Sequence, residues 1–139
     1  MFNGFDWTNF LYVARTLHGE GQQAGPAPNP EAVHRSVTNR AYYAALHLAK
    51  KLANTFEPGR FVMTVKVDHP EVPQWFKDRH DRADLQEIGE LLSECLDCRY
   101  DADYKDVMRE SPDNAAVEAI YCAEKILRIL RREREARGL

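Results

Sequence analysis

Ser36-Val37-Thr38-Asn39-Arg40-Ala41-Tyr42-Tyr43-Ala44-Ala45-Leu46-His47-Leu48-Ala49 is the centre of a run, Asn29 to Phe56, that reads as one long helix. Asn29 suits an N-cap, Pro30 the first helical position, and Glu31 the positive end of the helix dipole. Neither Gly nor Pro occurs from Glu31 to Phe56, and Glu57-Pro58-Gly59 then stops the helix. At 100° per residue, Val33, Val37, Ala41, Ala45, Leu48 and Leu52 line one apolar stripe, widened by Leu46 and Ala49. Ser36, Asn39, Arg40, Tyr43, His47, Lys50, Lys51 and Asn54 share the opposite arc. Arg40 and His47, seven residues apart, project at nearly the same angle about 10 Å apart along the axis, with Tyr43 between them. On an exposed ridge, a guanidinium, a phenol and an imidazole suit phosphate binding and proton transfer. The plainer reading is a solvated face that packs on a second subunit. Either way the arc is expected to be exposed, so that His47→Ala leaves the fold nearly intact, within about 0.5 kcal/mol.

Two motifs carry a family resemblance. Arg40-Ala41-Tyr42-Tyr43-Ala44-Ala45-Leu46-His47-Leu48-Ala49 resembles the R-[SA]-Y-Y-A-x-[FL]-H-x-A helix of the HEPN superfamily (higher eukaryotes and prokaryotes nucleotide-binding). Downstream, Arg99-Tyr100-Asp101-Ala102-Asp103-Tyr104 resembles the R-x-x-A-D-Y element of such domains. The resemblance runs from about Trp7 to Leu130. It implies a helical bundle and three candidate activities. One is a metal-independent endoribonuclease, of toxin or defence type, with Arg40 and His47 catalytic at a dimer cleft. There His47 would transfer a proton and Arg40 would hold the scissile phosphate. A second is a nucleotide-binding module that acts with a separately encoded minimal nucleotidyltransferase, or in a toxin–antitoxin or defence system. A third is a non-catalytic dimeric interaction protein. Arg40, Tyr43, His47, Lys50, Lys51, Arg99, Asp103 and Tyr104 are the implied nucleotide- or RNA-binding set. Two departures weigh against the ribonuclease: Ala41 is apolar where nuclease members commonly carry a polar residue, and Arg99 is followed by no histidine. The nucleotide-binding module is therefore the favoured expectation.

Outward from the signature helix, Asp6 suits an N-cap for a first helix from about Trp7 to His18, with Trp7, Phe10, Leu11, Ala14 and Leu17 facing inward. Gly19 to Asn29 reads as a surface loop. In the 57–81 segment, Phe61, Met63, Val65 and Val67 alternate with Val62, Thr64 and Lys66. That is weak strand periodicity, which without a partner predicts an extended loop or a strand paired across a dimer. A short helix carrying Trp75 and Phe76 follows the turn at 68–73. The next helix begins near Asp81 or Ala83 and turns Leu85, Ile88, Leu92, Cys95 and Leu96 inward. Gly89 within it costs about 1 kcal/mol relative to Ala, tolerable where another helix comes close. Arg99 and Asp103 read as an i, i+4 ion pair or as a groove wall orienting Arg40 or His47. The last helix opens with Ser111 as N-cap and Pro112 at the first helical position, and ends basic over residues 128–139. That basic end suits the dipole, or a contact with RNA or an acidic partner.

The 139 residues predict one domain, 1–139, an all-α up-and-down bundle of four principal helices and a short fifth. A net charge of −3 argues against sequence-blind nucleic-acid binding, which needs a strongly basic surface. No signal peptide or bilayer-length apolar run is read, so a cytoplasmic location and no membrane partner are expected. Cys95 and Cys98 form a C-x-x-C, but with Cys122 as the one further cysteine they are expected to be packing residues. His69 and His80 have no second ligand at helical spacing, and neither a metal site nor a cofactor is expected. The partners expected are a second copy of the chain, a nucleotidyltransferase or antitoxin, and RNA or a nucleotide.

Overall fold

The computed structural model describes residues 6–23, 30–63 and 69–139, and within 20–23 the backbone alone. Five helices occur among the described residues, with no strand: α1 (Thr8–Gln23), α2 (Pro30–Phe56), α3 (Glu71–Lys77), α4 (Ala83–Tyr104) and α5 (Pro112–Ala136). The all-α bundle of four long helices and one short one is as expected, and α2 has the expected C-terminal limit. The Asn29 cap and residues 64–68 of the anticipated strand lie outside the described residues. Residues 57–63 form turns and bends rather than a strand.

Local chemistry sets the helix ends. The Asp6 carboxylate accepts the Thr8 N–H at 3.0 Å ahead of α1. Ser111 Oγ accepts the Asn114 N–H at 3.2 Å ahead of α5, with Pro112 at the first helical position. After α2, Gly59 adopts a φ of +80°, which reverses the chain at little steric cost because glycine has no Cβ. Asn54 holds that turn by a reciprocal pair: its Nδ2 donates to Phe61 O and its Oδ1 accepts from Phe61 N, both at 2.8 Å.

Packing is centred on α2, which contacts each of the other four helices. Val37, Ala41, Ala45 and Leu52 are fully buried, and so are Ala116, Ala119, Ala123 and Ile126 of α5. Alanines on both helices let the two backbones come close, and branched side chains fill what remains. Beside them α3 lies on α4, and here Gly89 has a geometric reason. A Cβ at Gly89 would stand 2.8 Å from Lys77 N and 2.9 Å from Pro73 O, both backbone atoms.

Gly89→Ala is therefore expected to destabilise the fold by up to about 2 kcal/mol. The gain in helix propensity, about 1 kcal/mol, is outweighed by an overpacking cost of about 1–3 kcal/mol. Urea unfolding checks this; a variant as stable as the parent would mean that α3 shifts freely.

Candidate functional site

The polar arc of α2 is not an exposed ridge. Because other helices and the following loop pack around α2, its polar residues fall into three groups with different neighbours.

Towards the C-terminal end, Lys50 is fully buried and its Nζ donates to Val62 O at 3.0 Å, while Asn54 clamps Phe61. Both hold the loop that leaves α2. A buried ammonium is tolerable because it has acceptors.

In the middle, His47 is buried with 6% of its surface exposed. Its ring stacks on the indole of Trp7, with centroids 3.6 Å apart and planes at 9°. Trp7 meets Phe10 edge-on at 5.0 Å, and the Arg40 guanidinium lies over Phe10 at 5.3 Å. The start of α1 thus covers the ridge with aromatic rings, and the expectation that His47 is exposed is corrected. Removing it from water holds the imidazole pKa down at about 4, and the nearby Lys50 and Lys51 charges reinforce the shift. Among the described residues its Nδ1 has no hydrogen-bond partner. Arg40 stays exposed and has no carboxylate partner among the described residues.

Towards the N-terminal end, the arc meets the end of α4. Asn39 Nδ2 donates to Asp103 Oδ2 at 3.0 Å, and Arg99 Nε lies 2.9 Å from the same oxygen. The Arg99–Asp103 ion pair is as expected, but the carboxylate is tied to Asn39 and not to Arg40 or His47. Arg99 also lies over the Tyr43 ring at 5.4 Å and the Tyr104 ring at 5.6 Å. Tyr104 is 64% exposed. Arg35, overlooked in the sequence, donates to the carbonyls of Ala102 (3.2 Å), Lys105 (2.6 Å) and Asp106 (2.9 Å), closing the end of α4. Asp101, also buried, receives three bonds from Arg109, which hold its carboxyl below the ordinary range. A groove of about 270 Å³ opens here, lined by Arg35, Ser36, Asn39, Arg40, Ala102 and Asp103.

The predicted site therefore divides. Arg40 and Asp103 share one open groove, with Arg99, Tyr43 and Tyr104 clustered about the Asp103 carboxylate. His47 and Lys50 belong to the interior, and Lys51 is half-buried; the Asp6 carboxyl, lowered chiefly by its hydrogen bonds from Thr8, is lowered a little further by the Lys51 charge. A second groove at α3 contains Trp75 and Arg79, but Glu57, Glu71 and Asp78 also line it and oppose an anionic ligand. The cysteines are not poised for reaction. A hydrogen bond to Cys122 and burial raise the Cys95 thiol well above its ordinary range, and burial pushes Cys98 up to about 12. His69 meets the Tyr42 hydroxyl, and His80 Nδ1 meets Gln86 Nε2 at 2.9 Å.

Comparison with protein-family models, with curated proteins and with solved structures finds no match to this chain. No helix among the described residues is long and apolar enough to cross a membrane.

His47 yields a prediction with a definite sign. Its folded pKa lies below the unfolded value of about 6.5, so the unfolded chain binds the extra proton. Its contribution is full above about pH 6.5 and is lost as the pH falls towards 4, a loss on the order of 2–3 kcal/mol. Urea unfolding between pH 7 and pH 4 should show this slope, and His47→Phe should flatten it. At pH 7, His47→Ala should cost about 1–3 kcal/mol through the emptied stack under Trp7. A neutral effect would return the ring to the surface.

Proposed function

We propose that this chain is a non-catalytic, nucleotide-binding helical module of HEPN-like type. The observation that carries the reading is the separation of Arg40 from His47. Arg40 is exposed, has no carboxylate partner among the described residues and lines the α2–α4 groove, while His47 lies under Trp7. In this reading the guanidinium receives a phosphate. The Asp103 carboxylate, already oriented by Asn39 and Arg99, accepts from a ribose hydroxyl. Tyr104 and Tyr100, whose rings lie 5.1 Å apart on the exposed end of α4, offer an aromatic surface to the base.

The resemblance to HEPN domains extends the reading to a partner, a separately encoded minimal nucleotidyltransferase or another component of a toxin–antitoxin or defence system. A homodimer belongs to the same proposal. Exposed apolar side chains that suit it lie on α1 (Tyr12 and Val13) and α5 (Val117 and Tyr121), none of which lines the groove. The ribonuclease alternative asks His47 to reach a 2′-hydroxyl, which first requires Trp7 to leave the ring.

Calorimetric titration with adenosine and guanosine nucleotides tests the module. Saturable binding is expected, weakened about tenfold or more by Arg40→Ala and unaffected by His47→Phe. Absence of binding up to about 1 mM, where a complex worth about 4 kcal/mol would register, overturns the reading. RNA cleavage in chelator that a folded His47→Phe variant loses would replace it with the ribonuclease.

A further inference from the structure

Three side chains far apart in the sequence meet where α1, α2 and α5 converge: His18, His34 and Asp113. His18 Nε2 lies 2.9 Å from Asp113 Oδ1, and His34 Nδ1 lies 3.8 Å from the same oxygen. All three potential ligand atoms fall within 4.8 Å of one another. His34 is only 8% exposed, and among the described residues its Nδ1 has no hydrogen-bond partner, 3.8 Å to Asp113 being too long for one. Buried polar atoms are nearly always satisfied, so an orphan nitrogen directed at an imidazole and a carboxylate calls for an explanation.

A metal ion supplies it. Zinc bound to nitrogen at about 2.0–2.1 Å in a tetrahedral site places its ligand atoms about 3.3 Å apart. The 2.9 and 3.8 Å separations lie on either side of that value, so small side-chain rotations complete the geometry. Two neutral imidazoles and a carboxylate suit zinc and the neighbouring divalent transition metals better than magnesium or calcium, which favour all-oxygen sites. The Asp113 side chain is about half exposed, which leaves one side of the cluster open to solvent.

We propose that His18, His34 and Asp113 bind a zinc-type divalent metal through three protein ligands, with a fourth position open to water. On binding, His18 Nε2 and His34 Nδ1 each present a lone pair and Asp113 an anionic oxygen; a neutral ring with its proton on the ligand nitrogen shifts to the other tautomer, and a protonated ring releases one proton to solvent. Affinity therefore rises as the pH increases through the imidazole range. The ion joins three helices at one end of the bundle, so binding raises thermal stability. The site is independent of the α2–α4 groove and of the nucleotide reading.

The test is titration of the chelator-treated full chain with Zn²⁺ by calorimetry, together with Co²⁺ absorption spectra and thermal melts. One ion per chain, a cobalt ligand-field band and a higher melting temperature are expected. His34→Gln and Asp113→Asn should each weaken binding at least tenfold, while His80→Gln, at an exposed histidine outside the cluster, should not. If His34→Gln fails to fold, His18→Gln makes the same comparison from α1. Two results overturn the site: no saturable Zn²⁺ binding by the parent chain, or binding that persists unchanged in folded cluster variants. The second would send the ion elsewhere, for example to Cys98, Glu110 and Glu118, which also lie within 4.8 Å of one another.

Discussion

The enclosure of α2 is the constraint on which the rest of the structure depends. A helix touched by four others keeps little of its circumference in water, yet α2 carries Arg35, Asn39, His47, Lys50 and Asn54 along its length. Each buried polar group must find a partner or remain neutral. Arg35 finds the carbonyls at the end of α4, Asn39 finds Asp103, Lys50 finds Val62 O, and Asn54 finds both polar groups of Phe61. His47 takes the other course and sheds its charge beneath Trp7. Polar side chains that resemble a catalytic ridge in one dimension thus become the fastenings that join α2 to α4 and to the following loop.

This division separates two kinds of chemistry. Proton transfer at neutral pH asks for an accessible imidazole with a pKa near 7, and desolvation under an indole works against both requirements. Phosphate recognition asks for an exposed guanidinium in a concave surface, which Arg40 satisfies. The same two residues, at a spacing that suits either role, are placed in different surroundings by Trp7, just ahead of α1, and Phe10 in its first turn. Trp7 and Phe10 are therefore as important to a functional account of the motif as the motif itself.

Much of the fold was legible because helix signals are local. Pro30, the Glu57-Pro58-Gly59 stop and the Ser111-Pro112 start act through dihedral preference and capping, which need no tertiary context. The i, i+3, i+4 stripes of α2 and α4 likewise identified residues that are buried, from Val37 to Cys95. Gly89 could be suspected as a close approach because a glycine inside a helix needs a compensating reason. The Arg99–Asp103 pair was readable from helical spacing alone.

What the sequence by itself determined, then, is the set of helices, most of their ends, and the apolar stripes that join them to the core. Helix α1, expected to stop near His18 ahead of a loop from Gly19, instead runs on to Gln23. Tertiary structure decided which polar residues reach water. Periodicity defines one apolar face and assigns the remainder to solvent, and that inference fails for a helix surrounded by four neighbours. His47 and Lys50 were misplaced for this reason, since the elements that cover them are α1 and the loop after α2. The Asp103–Asn39 contact spans 64 positions, and the meeting of His18 with Asp113 spans 95. No spacing rule links residues so far apart. Only the packing of α1, α4 and α5 around α2 brings them within reach, because a bundle converts angular position on separate helices into contact.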